Sequence, residues 1–263
     1  MYSHTQWISM LIASYNTPRE YLEECLHSIK TQEGLGISYK IELVWINDGS
    51  LPEFSLVIEN LLKTLEQQYA TTRRDESIIK IKYVRMDSNK GLSYCLHHGV
   101  LLCSYDLIFR MDSDDIMHET RIQKQLNFMN QNPECVLCGT NIVSFIKNNT
   151  GELVSVERSY HLPILTWEKY KEKRERWILN HPTLCFRKYA VICVGNYNEK
   201  LKDPFEDLEL ELKILKKYGF VCNLSEILLY YRIHENQITW AQRNKSRENN
   251  EKKQRMIEEL IQS

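Results

Sequence analysis

Short apolar runs alternate with amphipathic stretches through the first half of the chain, the pattern of buried strands with covering helices between them. Ile8 to Ala13 reads as a buried strand. Thr17-Pro18-Arg19-Glu20 then opens a helix, with Thr17 as N-cap, Pro18 at the first helical position and Glu20 closing a capping box. Leu22, Cys25, Leu26 and Ile29 recur at helical spacing behind it. Ile41 to Ile46 is a second strand, ended by Asn47-Asp48-Gly49-Ser50, and a helix is predicted from about Phe54 to Tyr69. The polar stretch Thr71 to Ser77 reads as a surface loop before a third strand, Ile79 to Val84. Gly91 to Leu102 follows as a helix, and Leu107 to Met111 as a fourth strand. This order predicts an α/β fold with a Rossmann-like, mostly parallel central sheet flanked by helices.

The second half is more mixed. Ile122, Leu126 and Met129 mark a helix stopped by Asn132-Pro133, and Cys135 to Phe145 is a strand leading to a turn at Asn148 to Gly151. Trp167 to Trp177 is charged and helical. Glu206 to Tyr218 is amphipathic, with Gly219 as its C-terminal cap. Short strands at Val221 to Leu224 and Ile227 to Ile233 complete the core, so that a smaller mixed region adjoins the parallel sheet. Residues 243–263 form a charged tail, expected as a surface helix or frayed end.

The 263 residues suffice for one large domain, and 43% hydrophobic with 26% charged residues is the balance of an ordinary globular protein. A net charge of -1 gives no electrostatic case for nucleic acid. The eight cysteines fall mostly inside apolar runs, as small buried hydrophobes of a reducing compartment do, and Cys135-x-x-Cys138 has no second such pair. No apolar stretch reaches the roughly 20 residues of a membrane span. A cytoplasmic location is expected, with peripheral membrane contact left open.

Chemistry enters with the acids. Asp112-x-Asp114-Asp115 follows the apolar run Leu107-Ile108-Phe109, where a strand leaves the sheet. Three carboxylates crowded there repel one another unless a cation or proton neutralises them. Hard oxygen ligands suit Mg²⁺ or Mn²⁺, ions that arrive with phosphate-bearing substrates. The plainer reading is a polar loop capping the next helix. A calcium loop of the EF-hand kind is excluded by Met117 and Gln123 at its glycine and closing-acid positions. A haloacid-dehalogenase phosphatase carries such a pair near its start, whereas about a hundred residues precede this one. Asp48 is either turn chemistry or an acceptor for a base imide N–H at the sheet's carboxyl edge. Glu206-Asp207 is either a helix-start pair favoured by the macrodipole or a general base. His97 and His98 point about 100° apart on a helix and are read as surface or packed residues. His181 before Pro182 reads as structural or acceptor-side.

The segments Leu11-Ile-Ala-Ser-Tyr-Asn16, Trp45-Ile-Asn-Asp-Gly-Ser50, Asn89-Lys-Gly-Leu-Ser93 and Arg110-Met-Asp-Ser-Asp-Asp-Ile116 resemble the family-2 glycosyltransferases. So do His181-Pro182, Gly195-Asn-Tyr-Asn198, Phe205-Glu-Asp-Leu208 and Tyr231-Arg-Ile-His234, all in the family's order. The likeness runs from about Trp7 to Thr239 and is nearest to bacterial-type enzymes building capsular, exopolysaccharide or lipopolysaccharide glycans. It implies a GT-A fold in residues 1–242, with a nucleotide-sugar half at 1–116 and an acceptor and base half at 117–242. It also implies a UDP-sugar donor, Mn²⁺ or Mg²⁺, a glycan, glycolipid or glycoprotein acceptor, and inversion at the anomeric carbon. Carried over by position, Ala13, Tyr15 and Asp48 hold the uridine, and Asn89 joins the donor-binding set. Asp112 and Asp114 are metal and ribose-diphosphate carboxylates supported by Asp115, and Asp207 is the base with Glu206 beside it. Arg232 and His234 are placed on the diphosphate and metal, in a segment, 231–242, that closes over the donor.

Three segments depart from the family pattern: Cys95-Leu96-His97 stands for Ala-Arg-Asn, Glu119 for a proline, and Asn47 for the first acid of the Asp-Asp-Gly-Ser turn. None removes a proposed metal ligand or the base. A sugar-nucleotide nucleotidyltransferase needs a Gly-rich phosphate loop after the first strand, and Ser14 to Pro18 holds no glycine. An inactive carbohydrate- or partner-binding module would tolerate loss of Asp114 or Asp207, and both are present.

Overall fold

β1 (Gln6–Ser14) runs parallel to β2 (Tyr39–Asn47) on one side and to β4 (Leu107–Asp112) on the other, with β3 (Ile79–Arg85) parallel beyond β2. In the computed structural model the described residues are 5–70, 77–148, 150–174, 178–201, 205–235, 237 and 246–262, without the side chains of 246–250. The loop expected at 71–77, the end of the helix expected to reach 177 and the closing segment beyond 237 therefore lie largely outside them.

Past β4 the sheet becomes mixed. β9 (Cys185–Arg187) pairs antiparallel to both β4 and β6 (Leu137–Lys147). β10 (Phe220–Arg232) then runs parallel to β6, and β5 (Ile116–Met117) pairs antiparallel to β10. β7 (Leu153–Ser159) and β8 (Ile164–Thr166) hang off β6 and β10, making a sheet of ten strands among the described residues. The two short strands expected near the end are one strand. Bulges between Leu224 and Ile227 and between Ile227 and Leu229 absorb the break in alternation.

Strand alternation divides the core into two faces. Ile8, Met10 and Ile12 point to the face covered by α1 (Arg19–Lys30), α2 (Pro52–Tyr69) and α4 (Arg121–Gln131). Leu11, Val44, Ile46 and Ile108 point to the other. That face is covered by α3 (Leu92–Leu102), α6 (Lys188–Cys193) and α7 (Glu206–Tyr218), with α5 (Trp167–Lys173) beside β8. α7 ends as expected at Gly219, whose φ of 84° is left-handed.

One local expectation is corrected. Thr17 does not cap α1: Pro18 holds the N-cap position without a side-chain cap, and the Thr17 hydroxyl lies 2.8 Å from Ser113 Oγ in the acidic loop. Of the two forms expected for the charged tail, residues 246–262 take the helical one. α8 (Ser246–Gln262) packs on α7, burying Ile257 in the second core face, and Lys216 Nζ donates to the Leu260 carbonyl at its last turn.

Candidate active site

The carboxyl ends of β1, β2 and β4 lie side by side, which places Ala13 opposite Ile46 on one flank and Asp112 on the other. Two residues past Ile46, Asp48 is buried. Its Oδ1 accepts the Lys90 amide at 2.7 Å and its Oδ2 the Gly91 amide at 2.9 Å. Asp48 thus ties the Asn89-Lys-Gly loop to the sheet edge while retaining lone pairs for another donor. Gly49 is required for that approach, because a Cβ there would stand 2.4 Å from the Ser88 carbonyl carbon and its φ is +67°. Tyr15 is half exposed and Asn89 exposed, both on the rim of the same edge.

Asp112, Asp114 and Asp115 each offer a carboxylate oxygen, all within 4.8 Å of one another. Several groups from outside the loop hold them there. Arg121 Nη2 donates to the Arg110 carbonyl at 2.7 Å, Cys25 Sγ contacts the Asp112 carbonyl, and the Arg232 amide donates to Asp115 Oδ1 at 2.9 Å. Burial, then Asp114 and Asp112, push Asp115 well above the carboxylate range. Its Oδ2 is buried without a hydrogen-bond partner. Burial also raises Asp112, opposed by Arg110.

His234 reaches this cluster from the chain beyond β10, its Nε2 2.8 Å from Asp114 Oδ2. Arg232, expected on the diphosphate, turns its guanidinium inward in this structure. Its guanidinium is only 2% exposed and sandwiched between the rings of Tyr21 and Phe145. Nε donates to the Asp114 carbonyl at 2.7 Å, and Nη2 pairs with Glu24, itself bonded to Lys147. Aromatic side chains on both sides and these acceptors draw the cation inward, where it contacts the acidic loop.

On the same sheet face as Asp112, Arg110 is 2% exposed and places Nη2 2.6 Å from Asp112 Oδ1. Its positive charge also acts on Glu206, Asp207 and Tyr197. Glu206 and Asp207 start α7, where the Leu208 amide donates to Asp207 Oδ1 at 2.6 Å. Burial first, then the neighbouring Asp207, push Glu206 up to about 8, and burial raises Asp207. Asp112 raises Glu206 as well, so the loop acids and the α7 pair share one electrostatic site. The Tyr197 hydroxyl, 2.9 Å from His181 Nε2, lies in the same cluster. Burial and Arg110 push His181 well below its ordinary range, so its ring stays neutral as a packed partner. His97 is likewise a packed residue, with Nδ1 2.7 Å from the Tyr197 carbonyl.

The loop fits a divalent cation. It offers hard oxygen donors at close range, a buried acceptor without a partner, and an imidazole nitrogen on the outer carboxylate. Of the residues singled out from sequence, Ala13, Asp48, Asp112, Asp114, Asp115 and His234 converge, while Arg232 stands behind them. Arg110, Tyr197 and Lys253 went unassigned. An arginine inside an apolar strand was the available signal for Arg110, since charge is buried only when paired. Lys253 carried no signal in its charged surroundings.

A parallel sheet edge, an acid cluster at the β4 end and a separate acid pair on α7 make up the candidate site. The sequence profile of glycosyl transferase family 2 matches residues 9–198, and the chain belongs to that family. The amylovoran biosynthesis glycosyltransferase AmsE of Erwinia amylovora is 31% identical over 85% of this chain and 75% of its own length. Among solved structures, TarS 1–349 of S. aureus in complex with UDP superposes with a TM-score of 0.66 at 16% identity, over 97% of this chain and 65% of that one. A mannosyltransferase from Pyrobaculum calidifontis, in complex with GDP-Man and Mn²⁺, gives 0.64 at 11%, over 92% and 61%. The fold is GT-A, and the chain spans less than two thirds of these structures. Among the described residues no helix is long and apolar enough to cross a membrane.

Proposed function

We propose that this family-2 chain is an inverting, metal-dependent glycosyltransferase that moves a sugar from a UDP-sugar to a hydroxyl of a glycan, glycolipid or glycoprotein acceptor at a cytoplasmic site. The carrying observation is the convergence of two acid groups from distant sequence, Asp112/Asp114 with His234 and Glu206/Asp207, on either side of buried Arg110. Residues 1–116 serve the donor and 117–242 the acceptor.

Ala13, Tyr15, Asp48 and Asn89 form the nucleoside end, Asp48 having free lone pairs for the base and an already rigid loop beside it. Asp112, Asp114 and His234 would hold Mn²⁺ or Mg²⁺, with Asp115 behind them. A divalent ion supplies charge stabilisation for the leaving nucleoside diphosphate. Asp207 accepts the proton of the acceptor hydroxyl as that oxygen attacks the anomeric carbon from the face opposite the leaving group, which inverts its configuration. Glu206, held up near 8, keeps a proton and so spares Asp207 a second full charge beside it. The preformed edge and base hold both substrates in line, which supplies much of the remaining acceleration.

A panel of UDP- and GDP-sugars, assayed with Mn²⁺ for transfer and slow hydrolysis, tests the reading. Turnover of a UDP-sugar that stops in excess chelator supports it. Turnover with GDP-sugars alone overturns the donor, and full activity in chelator overturns the metal.

A further inference from the structure

α8 contributes a side chain to the base region as well as covering α7. Lys253 is 4% exposed, although the helix around it is richly charged and exposed on its outer side. Its Nζ lies 5.9 Å from the ring centre of Phe205, the residue immediately before the Glu206-Asp207 pair. One turn further on, Ile257 is buried against the same core face as Leu208 and Leu212 of α7, which fixes the side of α8 that carries Lys253. α7 presents Asp207 and, one turn later, Glu211. Glu211 is 2% exposed and its Oε1 has no hydrogen-bond partner. A lysine is rarely buried unless paired, and a buried carboxylate demands a cation or a proton.

We infer that Lys253 is a positioning residue of the active centre, the buried cation through which the C-terminal helix steadies the Asp207 and Glu211 carboxyls at the start of α7. This rests on Asp207 being the base. The charged and titratable groups around these acids are Glu206 on α7, Arg110 and Asp112 on β4, Tyr197, and Lys253 itself. The lysine's charge opposes the burial that raises both Asp207 and Glu211.

The test uses the full chain with Lys253→Met, close in shape but uncharged, and Lys253→Arg, which keeps the charge. Carboxyl ¹³C shifts of Asp207 and Glu211 are titrated, and kcat is followed against pH. In Lys253→Met both carboxyl midpoints should rise by about one pH unit. The acid limb of kcat should move upward equally, so that turnover on that limb falls about tenfold and recovers at higher pH. Lys253→Arg should restore both. A lower melting temperature with unmoved carboxyl titrations and an unmoved limb would reduce Lys253 to packing and overturn the inference. Asp207→Asn, run in parallel, separates the two ideas: normal turnover there removes the base assignment, while the carboxyl titration of Lys253→Met still decides the pairing.

Discussion

His234 Nε2 lies 2.8 Å from Asp114 Oδ2, a contact across 120 residues that brings the chain after β10 onto the acidic loop after β4. The two residues share one site because β10 carries its last residues past β5, directly behind Asp115. The Tyr21 ring, 5.2 Å from the imidazole, steadies the far side.

If these two side chains hold an ion together, their loss should be graded. Asp114→Ala should abolish metal-dependent turnover while the protein stays folded, because Asp114 is partly exposed and its loss relieves repulsion within the cluster. His234→Ala should weaken Mn²⁺ binding, measured by calorimetry in the presence of UDP, by roughly tenfold with smaller loss at saturating metal. Equal Mn²⁺ affinity in wild type and both variants would remove the site.

The base pair gives a second prediction. Asp207→Asn is nearly isosteric, so melting should change little, and turnover should fall by roughly a hundredfold or more with UDP binding intact. As the proposed base, Asp207 must be unprotonated, so wild-type kcat should rise with pH along its acid limb. Retained turnover in the variant would place the base elsewhere.

Glu206 supplies a pH dependence of stability with a definite sign. Its folded pKa is raised from 4.5 to about 8, so the folded state favours the protonated form. That contribution is full below about pH 4.5 and is lost as pH rises through 8. In chelator, wild-type melting temperature should fall between pH 5 and 9. Glu206→Gln should gain a few degrees at the high end and almost nothing at pH 5. The same difference at both pH values would show that Glu206 is not held protonated.

The parallel half of the fold was legible because β1, β2 and β4 are buried on both faces and its helices are amphipathic, so period and length separate them. The bulged β10 was read as two strands, since residues Ser225 and Glu226 interrupt its apolar pattern. The acid cluster was legible as a crowded local motif, and Asp48 as a strand-end acid. What stayed hidden was direction. Sequence places Arg232 next to the site, yet only the pairing with Glu24 and the Tyr21 and Phe145 rings shows that its guanidinium turns inward. Thr17 misled in the same way, because its hydroxyl found Ser113 before it found the helix start.

Arg110 should behave as a buried counter-ion. Arg110→Met leaves Asp112 facing Asp114 without its 2.6 Å partner, which should cost on the order of 3 kcal/mol of stability. Mn²⁺ affinity should fall too, because Asp112 would hold its proton more tightly once Arg110 no longer opposes burial. Arg110→Lys should recover part of both losses, as a point charge replaces a planar fork. Chemical denaturation and metal calorimetry read the two effects separately, and an unchanged metal affinity in Arg110→Met would break the link to Asp112.

Arg232 decides between a ligand for the donor and a brace for the loop. A diphosphate ligand, when replaced by methionine, should weaken UDP binding even without metal and leave the fold alone. A brace should do the reverse. Arg232→Met keeps the apolar contact with Tyr21 and Phe145 but strands Glu24 and frees the Asp114 carbonyl. We therefore expect a melting temperature lower by several degrees, weaker Mn²⁺ binding through the loosened loop, and metal-free UDP affinity within about twofold of wild type. The backbone bond from residue 232 to Asp115 persists in the variant, so the loop should loosen without detaching. Calorimetry of UDP in chelator is the deciding measurement. A tenfold loss there would return Arg232 to the diphosphate.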